Sequence, residues 1–322
     1  MCGTGAQRDG LRHIRSTARA FLMIRAIFLT LMTGAVLVAL SGCSPLKLLN
    51  TLNPSGPVDH VYGLAYGPDP RHTLDVYTPK SKPDNAPVVV FFYGGSWNSG
   101  SKTDYAFVGE ALAARGMVVV IADYRLYPQV RYPSFLEDSA KALAWAYKHA
   151  KTYGGDPDRL YVMGHSAGAY NAAMLALDPR WLAREGLAPS ILSGWIGLAG
   201  PYDFLPIENA DVKPVFFFPN SPLDSQPINH VSASAPQALL MASNTDTLVN
   251  PKRNTGGLAQ KLRAANVPVR DLYFSRTNHG TLVGAFAKLL SGLAPVVDEV
   301  DMFVKHTPRA QRETKGSGSA PQ

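Results

Sequence analysis

Short runs that are apolar at almost every position fall at residues 88–92, 117–122, 160–163, 195–199, 238–242 and 269–274. A run with no polar face predicts a strand buried on both sides, the habit of a parallel sheet. Between the runs, apolar positions recur three and four residues apart over 104–115, 134–153, 167–177, 255–265 and 295–305, which predicts helices. Two earlier segments, 60–66 and 73–77, alternate apolar and polar residues and predict edge antiparallel strands. Strand-then-helix alternation makes the fold class α/β: a mainly parallel, doubly wound sheet with helices on both faces. Ligands of such sheets sit at the carboxyl ends of the strands, so candidate chemistry is sought there.

One apolar run belongs to none of these elements. Arg25 precedes the run 26–40, which closes on Leu40-Ser41-Gly42-Cys43. The run is shorter than the roughly 20 residues of a membrane span and has the length of a signal-peptide core. Residues 1–42 are therefore expected to be a signal peptide, with 1–22 an upstream extension if Met23 is the true start. Leu40-Ser41-Gly42-Cys43 resembles the lipobox of bacterial lipoproteins. The resemblance implies cleavage before Cys43, lipidation of its sulfur and a membrane partner reached through that anchor. Ser44 after the cysteine implies the outer membrane, facing the periplasm. Residues 43–57, rich in Pro, Asn and Ser, are expected to tether a folded domain over 58–307, and the polar 308–322 to form a disordered tail.

Composition narrows the function. A chain of 322 residues with 46% hydrophobic content can bury a full core, which excludes a disordered protein. Five arginines against Asp9 place +4 of the +7 net charge within residues 1–42, leaving +3 on the rest. No basic face interleaved with aromatics appears, so no nucleic-acid partner is expected. Cys2 and Cys43 are too few for a disulfide framework, no histidine pair has metal-ligand spacing, and no phosphate-binding glycine loop is present. Neither a cofactor nor a metal is expected.

The run 160–163 leads into Gly164-His165-Ser166-Ala167-Gly168 and then directly into a predicted helix. Strand, sharp turn and helix are what a nucleophile elbow requires, with the Ser166 hydroxyl standing out of the sheet at the positive end of a helix dipole. A hydroxyl is a weak nucleophile until a base takes its proton. The elbow is followed along such chains by an acid and then a histidine late in the sequence, and only His279 and His306 lie beyond the run 238–242. His306 ends the last helix, whereas His279 follows the run 269–274 on the loop before a helix, so His279 is the candidate base. Asp246 is the only carboxylate in the loop after 238–242 and is the candidate acid, with Asp203 its competitor; Asp271 lies inside a strand. Gly94, Gly95 and Ser96, after the run 88–92, offer backbone N–H groups that together with Ala167 form a candidate oxyanion hole.

Tyr93-Gly94-Gly95-Ser96-Trp97, Asp123-Tyr124-Arg125-Leu126, Gly155-Asp156-Pro157 ahead of the elbow, Asp246 and His279 together resemble the α/β-hydrolase superfamily. Within it they are similar to the esterase branch of hormone-sensitive-lipase-like carboxylesterases, kynurenine formamidases and feruloyl-esterase-type domains. The resemblance spans about residues 60–305. It implies an α/β-hydrolase fold and cleavage of small-molecule carboxylic esters, short-acyl or aryl, through an acyl-enzyme. Relatives begin the oxyanion motif with His-Gly-Gly, where this chain has Tyr93, and Asp138 matches a scaffold position. Two other readings share the pattern: an aryl formamidase with the same triad, and an envelope lipoprotein whose decayed site serves binding. Residues 201–235 are expected to form a small cap, with Val215-Phe216-Phe217-Phe218 either roofing a pocket or packing beneath a loop.

Overall fold

The structure is a computed structural model that describes residues 45–53 and 56–310. The signal-peptide and lipidation expectations, Cys43 included, lie outside the described residues, as does 311–322. Contacts divide the chain into residues 1–48 and 49–322, and the sheet belongs to the second unit.

Eight strands form one sheet: β1 (Val58–Ala65), β2 (Thr73–Pro79), β3 (Ala86–Phe92), β4 (Val118–Ala122), β5 (Gly155–His165), β6 (Leu192–Leu198), β7 (Ala238–Ser243) and β8 (Val269–Phe274). Their order is β1-β2-β4-β3-β5-β6-β7-β8. β1 and β2 run antiparallel, and β3 to β8 are parallel. The centre of the sheet is apolar on both faces: Val88 to Phe92 and Leu160 to Met163 are wholly buried. Each such side chain contributes about 1.5–3 kcal/mol by leaving water. Two expectations for strands are corrected. β2 is not an edge, because it lies between β1 and β4, and Leu74, Val76 and Tyr77 are buried. β8, expected to be buried on both faces, is the far edge of the sheet, so its six side chains stay half-buried or exposed.

The helices are α1 (Pro45–Leu52), α2 (Ala106–Ala113), α3 (Ser134–His149), α4 (Ala167–Leu177), α5 (Pro179–Ala183), α6 (Gly257–Ala264), α7 (His279–Gly284) and α8 (Val296–His306). α2 and α8 pack together on the face to which Tyr161 points, its hydroxyl reaching the Val304 carbonyl; α3, α4 and α5 pack together as a second group. Among the described residues no helix is long and apolar enough to cross a membrane.

The segment expected to be a plain tether contains α1, and from Leu49 onward it docks. Asn50 accepts from the Phe107 amide at 3.0 Å, while Asn53 donates to Glu110 and accepts from the Lys288 amide, each at 3.0 Å. The start of the polar tail docks as well: the Ala310 amide donates to the Asp158 carbonyl (3.0 Å) and Arg309 pairs with Asp156.

The chain leaves β3 for β4 on one side, then enters β5 and continues to the other. The order therefore reverses between β3 and β5, whose ends stand side by side with Phe92 opposite Gly164. That reversal opens a crevice at the carboxyl ends of the two strands, where Tyr93 and Ser166 begin their loops.

Candidate active site

Ser166 sits between β5 and α4 with φ 54° and ψ −121°, a conformation that only a tight, well-supported turn maintains. Support comes from close backbone passage. A Cβ on Gly164 would lie 2.1 Å from the Gly168 carbonyl oxygen, and one on Gly168 would lie 2.0 Å from that of Phe92, so neither position accepts a side chain. The Ser166 amide is held by the Leu198 carbonyl at 2.8 Å.

Ser166, His279 and Asp246 meet although they come from three separate segments of the chain. Ser166 Oγ lies 2.8 Å from His279 Nε2, and His279 Nδ1 lies 2.7 Å from Asp246 Oδ2. The carboxylate only accepts, so Nδ1 carries the proton and Nε2 presents its lone pair to the serine hydroxyl. His279 is not on the loop before the helix but is the first residue of α7. Asn278 caps α7 by accepting from the Thr281 amide (2.9 Å), while Thr281 Oγ1 accepts from the Asn278 amide (2.8 Å). The preceding turn is tied to the acid loop, where the Thr277 carbonyl accepts from Ser243 Oγ and from Thr245 Oγ1 (2.7 Å). Asp246 Oδ1 accepts from the Leu248 amide at 2.9 Å and the Val249 amide at 3.0 Å. Burial pushes the Asp246 carboxyl up, but the hydrogen bond and charge of His279 and these two amides outweigh it, and its pKa lies below the usual carboxylate value. Asp203, the competing acid, lines the cleft but is engaged by Arg253 rather than by His279: Arg253 grips both its oxygens, Nη2 at 3.0 Å and Nε at 3.1 Å. His306 is hydrogen-bonded to the Met302 carbonyl at the exposed end of α8.

The amides of Gly95 and Ser96 donate to no acceptor among the described residues, and Ala167, opening α4, has no intrahelical acceptor for its N–H. Ser96, Ala167 and Ser166 line the same cleft. The Gly94 N–H stands near the Tyr105 hydroxyl. What position 94 supplies is space, since a Cβ there would stand 2.9 Å from Ser166 Cβ.

Tyr93, where the resemblance implied a histidine, buttresses the oxyanion loop. It is fully buried, stacked between Tyr124 at 4.7 Å and Tyr105 at 5.8 Å. Its carbonyl accepts from the Tyr124 hydroxyl (2.7 Å), and its own hydroxyl accepts from Arg71 Nη2 (2.5 Å). Arg71 also donates to the Gly100 and Tyr124 carbonyls, at 3.0 and 2.8 Å. Further along the loop Trp97 donates from Nε1 to Asn171 Oδ1 at 3.0 Å, fixing the turn to α4. Sequence reasoning missed Arg71, Asn171, Ser243 and Thr245, because each lies far along the chain from the group it supports. Asp138 holds the scaffold as expected, accepting from Arg125 and facing His72 at 2.9 Å while wholly buried.

The cleft measures about 330 Å³ and runs from Ser166 and His279 past Trp97 and Phe204 to Glu208, Asn250 and Arg253. Residues 201–212 of the expected cap wall it. Val215 and Phe216 do not roof it but pack as buried core, Phe216 lying 4.8 Å from the Trp97 ring. Phe217 and Phe218 face outward beneath Arg131 and Lys213.

His165, beside the nucleophile, is a strongly perturbed imidazole. Burial pushes its pKa down to about 3, helped by repulsion from His279. Between about pH 6.5 and 3 the unfolded chain therefore binds a proton at this position that the folded chain refuses, so stability rises with pH in that window. Each pH unit lost there is expected to cost about 1 kcal/mol, a slope absent from His165→Leu. Melting temperatures of the two proteins from pH 7 to pH 4 check this; parallel curves would refute it.

The BD-FAE family matches residues 74–212. Among curated proteins, the chain is 28% identical over 242 residues to the probable isoprenylcysteine alpha-carbonyl methylesterase ICMEL1 of Arabidopsis thaliana, covering 68% of this chain and 50% of that protein. It is 31% identical over 227 residues to the esterase LipC of Mycobacterium tuberculosis, covering 64% of this chain and 56% of LipC. The chain thus spans about half the length of these two relatives. Among solved structures, the carboxylesterase EstE1 from a metagenomic library superposes with a TM-score of 0.65 at 20% identity, covering 83% of this chain and 94% of EstE1.

Proposed function

We propose that this chain, which has the α/β-hydrolase fold, is a serine hydrolase of carboxylic esters. The observation that carries the reading is the unbroken hydrogen-bonded line from Ser166 Oγ through His279 to the ionised Asp246. Ser166 attacks the ester carbonyl as His279 Nε2 takes its proton, and Asp246 stabilises the imidazolium that forms. The Ser96 and Ala167 amides, with Gly95, receive the oxyanion, each such donor contributing about 3 kcal/mol to the transition state. His279 then protonates the departing alcohol, and water cleaves the acyl-enzyme by the same steps in reverse roles. The esterase names of the curated relatives support the reaction class.

A decayed binding protein is disfavoured by the support beneath Tyr93, which keeps the oxyanion loop in place without a histidine. The size of the cleft, and its polar wall of Asp203, Glu208, Asn209, Asn250 and Arg253, favour short, polar esters over long acyl chains. A panel of p-nitrophenyl esters from acetate to palmitate, with an aryl formamide, tests this. Turnover is expected to be highest for the shortest acyl groups and to fall steadily with chain length. Preference for palmitate would overturn the acyl assignment, and turnover of the formamide alone would replace esterase by formamidase.

The anchor is part of the same proposal. The apolar run 26–40 ending at Cys43 supports a lipid-modified cysteine holding the hydrolase to the bacterial envelope at the outer membrane. Mass spectrometry of the mature protein from the membrane fraction should find Cys43 as the acylated first residue; an unacylated start elsewhere would remove the anchor.

A further inference from the structure

The geometry points to His165 as a positioning residue that fixes the base to the nucleophile elbow through the main chain. The inference rests on the reading of Ser166 and His279 as nucleophile and base. His165 Nε2 lies 3.0 Å from the His279 carbonyl oxygen, and a carbonyl only accepts, so Nε2 bears the proton. The residue just before the nucleophile thus holds the backbone of the base, beside the side-chain contact between Ser166 and His279.

The clamp has a second jaw. Ser243 and Thr245, on the acid loop, hold the Thr277 carbonyl, so the turn 277–279 is gripped from both of the loops that its imidazole must serve. His165 is only 4% exposed, and its Nδ1 has no hydrogen-bond partner among the described residues. A buried group with an unmet lone pair costs free energy that an apolar side chain of the same shape would avoid. Here the ring's one polar contact is to the base. The groups facing it are His279, with ring centroids 5.0 Å apart, Tyr105 at 6.3 Å, Asp246 and the Gly94 backbone. Its low proton affinity keeps a second positive charge away from the imidazolium that His279 becomes during turnover.

Two substitutions separate positioning from packing. His165→Leu keeps an apolar side chain of similar bulk and removes the donor, whereas the amide nitrogen of Gln occupies nearly the place of Nε2. A base displaced by a fraction of an ångström is expected to lower kcat about 10- to 100-fold in His165→Leu with KM within about twofold. His165→Gln is expected to recover most of that loss. The fluorophosphonate inactivation rate, normalised to folded protein, should follow kcat. Equal losses in both variants, or a Leu variant within twofold of wild type, would overturn the assignment. If His165→Leu does not fold, nitrogen-15 histidine spectra of the wild type decide. His165 must appear as the neutral Nε2–H form from pH 8 down to about pH 4, and protonation at Nδ1 or titration near pH 6.5 would overturn it. Wild-type protein that is not labelled at Ser166 would instead remove the functional reading. A labelled wild type with equally fast labelling of His165→Leu removes only the role of His165.

Discussion

Replacing Ser166 by alanine is expected to lower kcat for a short p-nitrophenyl ester by about 10⁶-fold, with KM nearly unchanged and all fluorophosphonate labelling lost. The hydroxyl is the only atom removed. Ala keeps the volume of the turn, and because the Ser166 amide rather than its side chain bonds the Leu198 carbonyl, the elbow should survive. The oxyanion amides and the cleft also stay, which is why residual turnover above the rate in water is expected. A variant with wild-type turnover would show that the ester is cleaved elsewhere.

Asp246→Asn is expected to lower kcat by about 10⁴-fold at neutral pH, again with KM little changed. An amide can still accept from the Leu248 and Val249 amides, so the loop keeps its shape. What disappears is the negative charge that selects the Nδ1–H tautomer of His279 and stabilises its protonated form. The pH dependence has a definite sign. Because the carboxyl pKa is lowered in the folded protein, the stability it contributes is present above about pH 4 and is lost only as pH falls through the folded value. Rapid-mixing assays between pH 5 and pH 8 should therefore show no separate loss from Asp246; a wild type that lost activity by protonating this carboxyl in that range would contradict the hydrogen bonding at the site.

The nucleophile was the most legible residue in the sequence, because a strand, a small-residue turn and a helix all write themselves locally: the run 160–163, Gly164, Gly168 and an alanine-rich helix. His279 and Asp246 became legible only by elimination, since a loop residue carries no periodicity. Gly94 shows the limit of that approach. Its place in the motif suggested an oxyanion donor, whereas the part the fold makes plain is steric, a Cβ there standing 2.9 Å from Ser166 Cβ. The misplacement of β8 has a related cause: Val269 to Phe274 carries two adjacent charges, Arg270 and Asp271, and a reading weighted toward its apolar members missed an edge strand. α5 was overlooked although Asp178 followed by Pro179 is a strong start signal, with the Asp178 side chain accepting from the Arg180 amide. α1 went unseen because Pro and Asn suggested a linker, whereas Asn50 and Asn53 serve as its docking contacts. The same lesson applies to His165, which any G-x-S-x-G pattern leaves free to vary and which only the fold brings against the base.

The acid and the base follow β7 and β8, the last two ribbons of the sheet, and among the described residues β8 has no neighbour on its outer side. A sheet melts from its rim inward, so warming should disarm the catalyst while the interior is still intact. Heat inactivation would then precede loss of overall secondary structure, and the working lifetime of the protein would be set by the tightness of one border rather than by the strength of its centre.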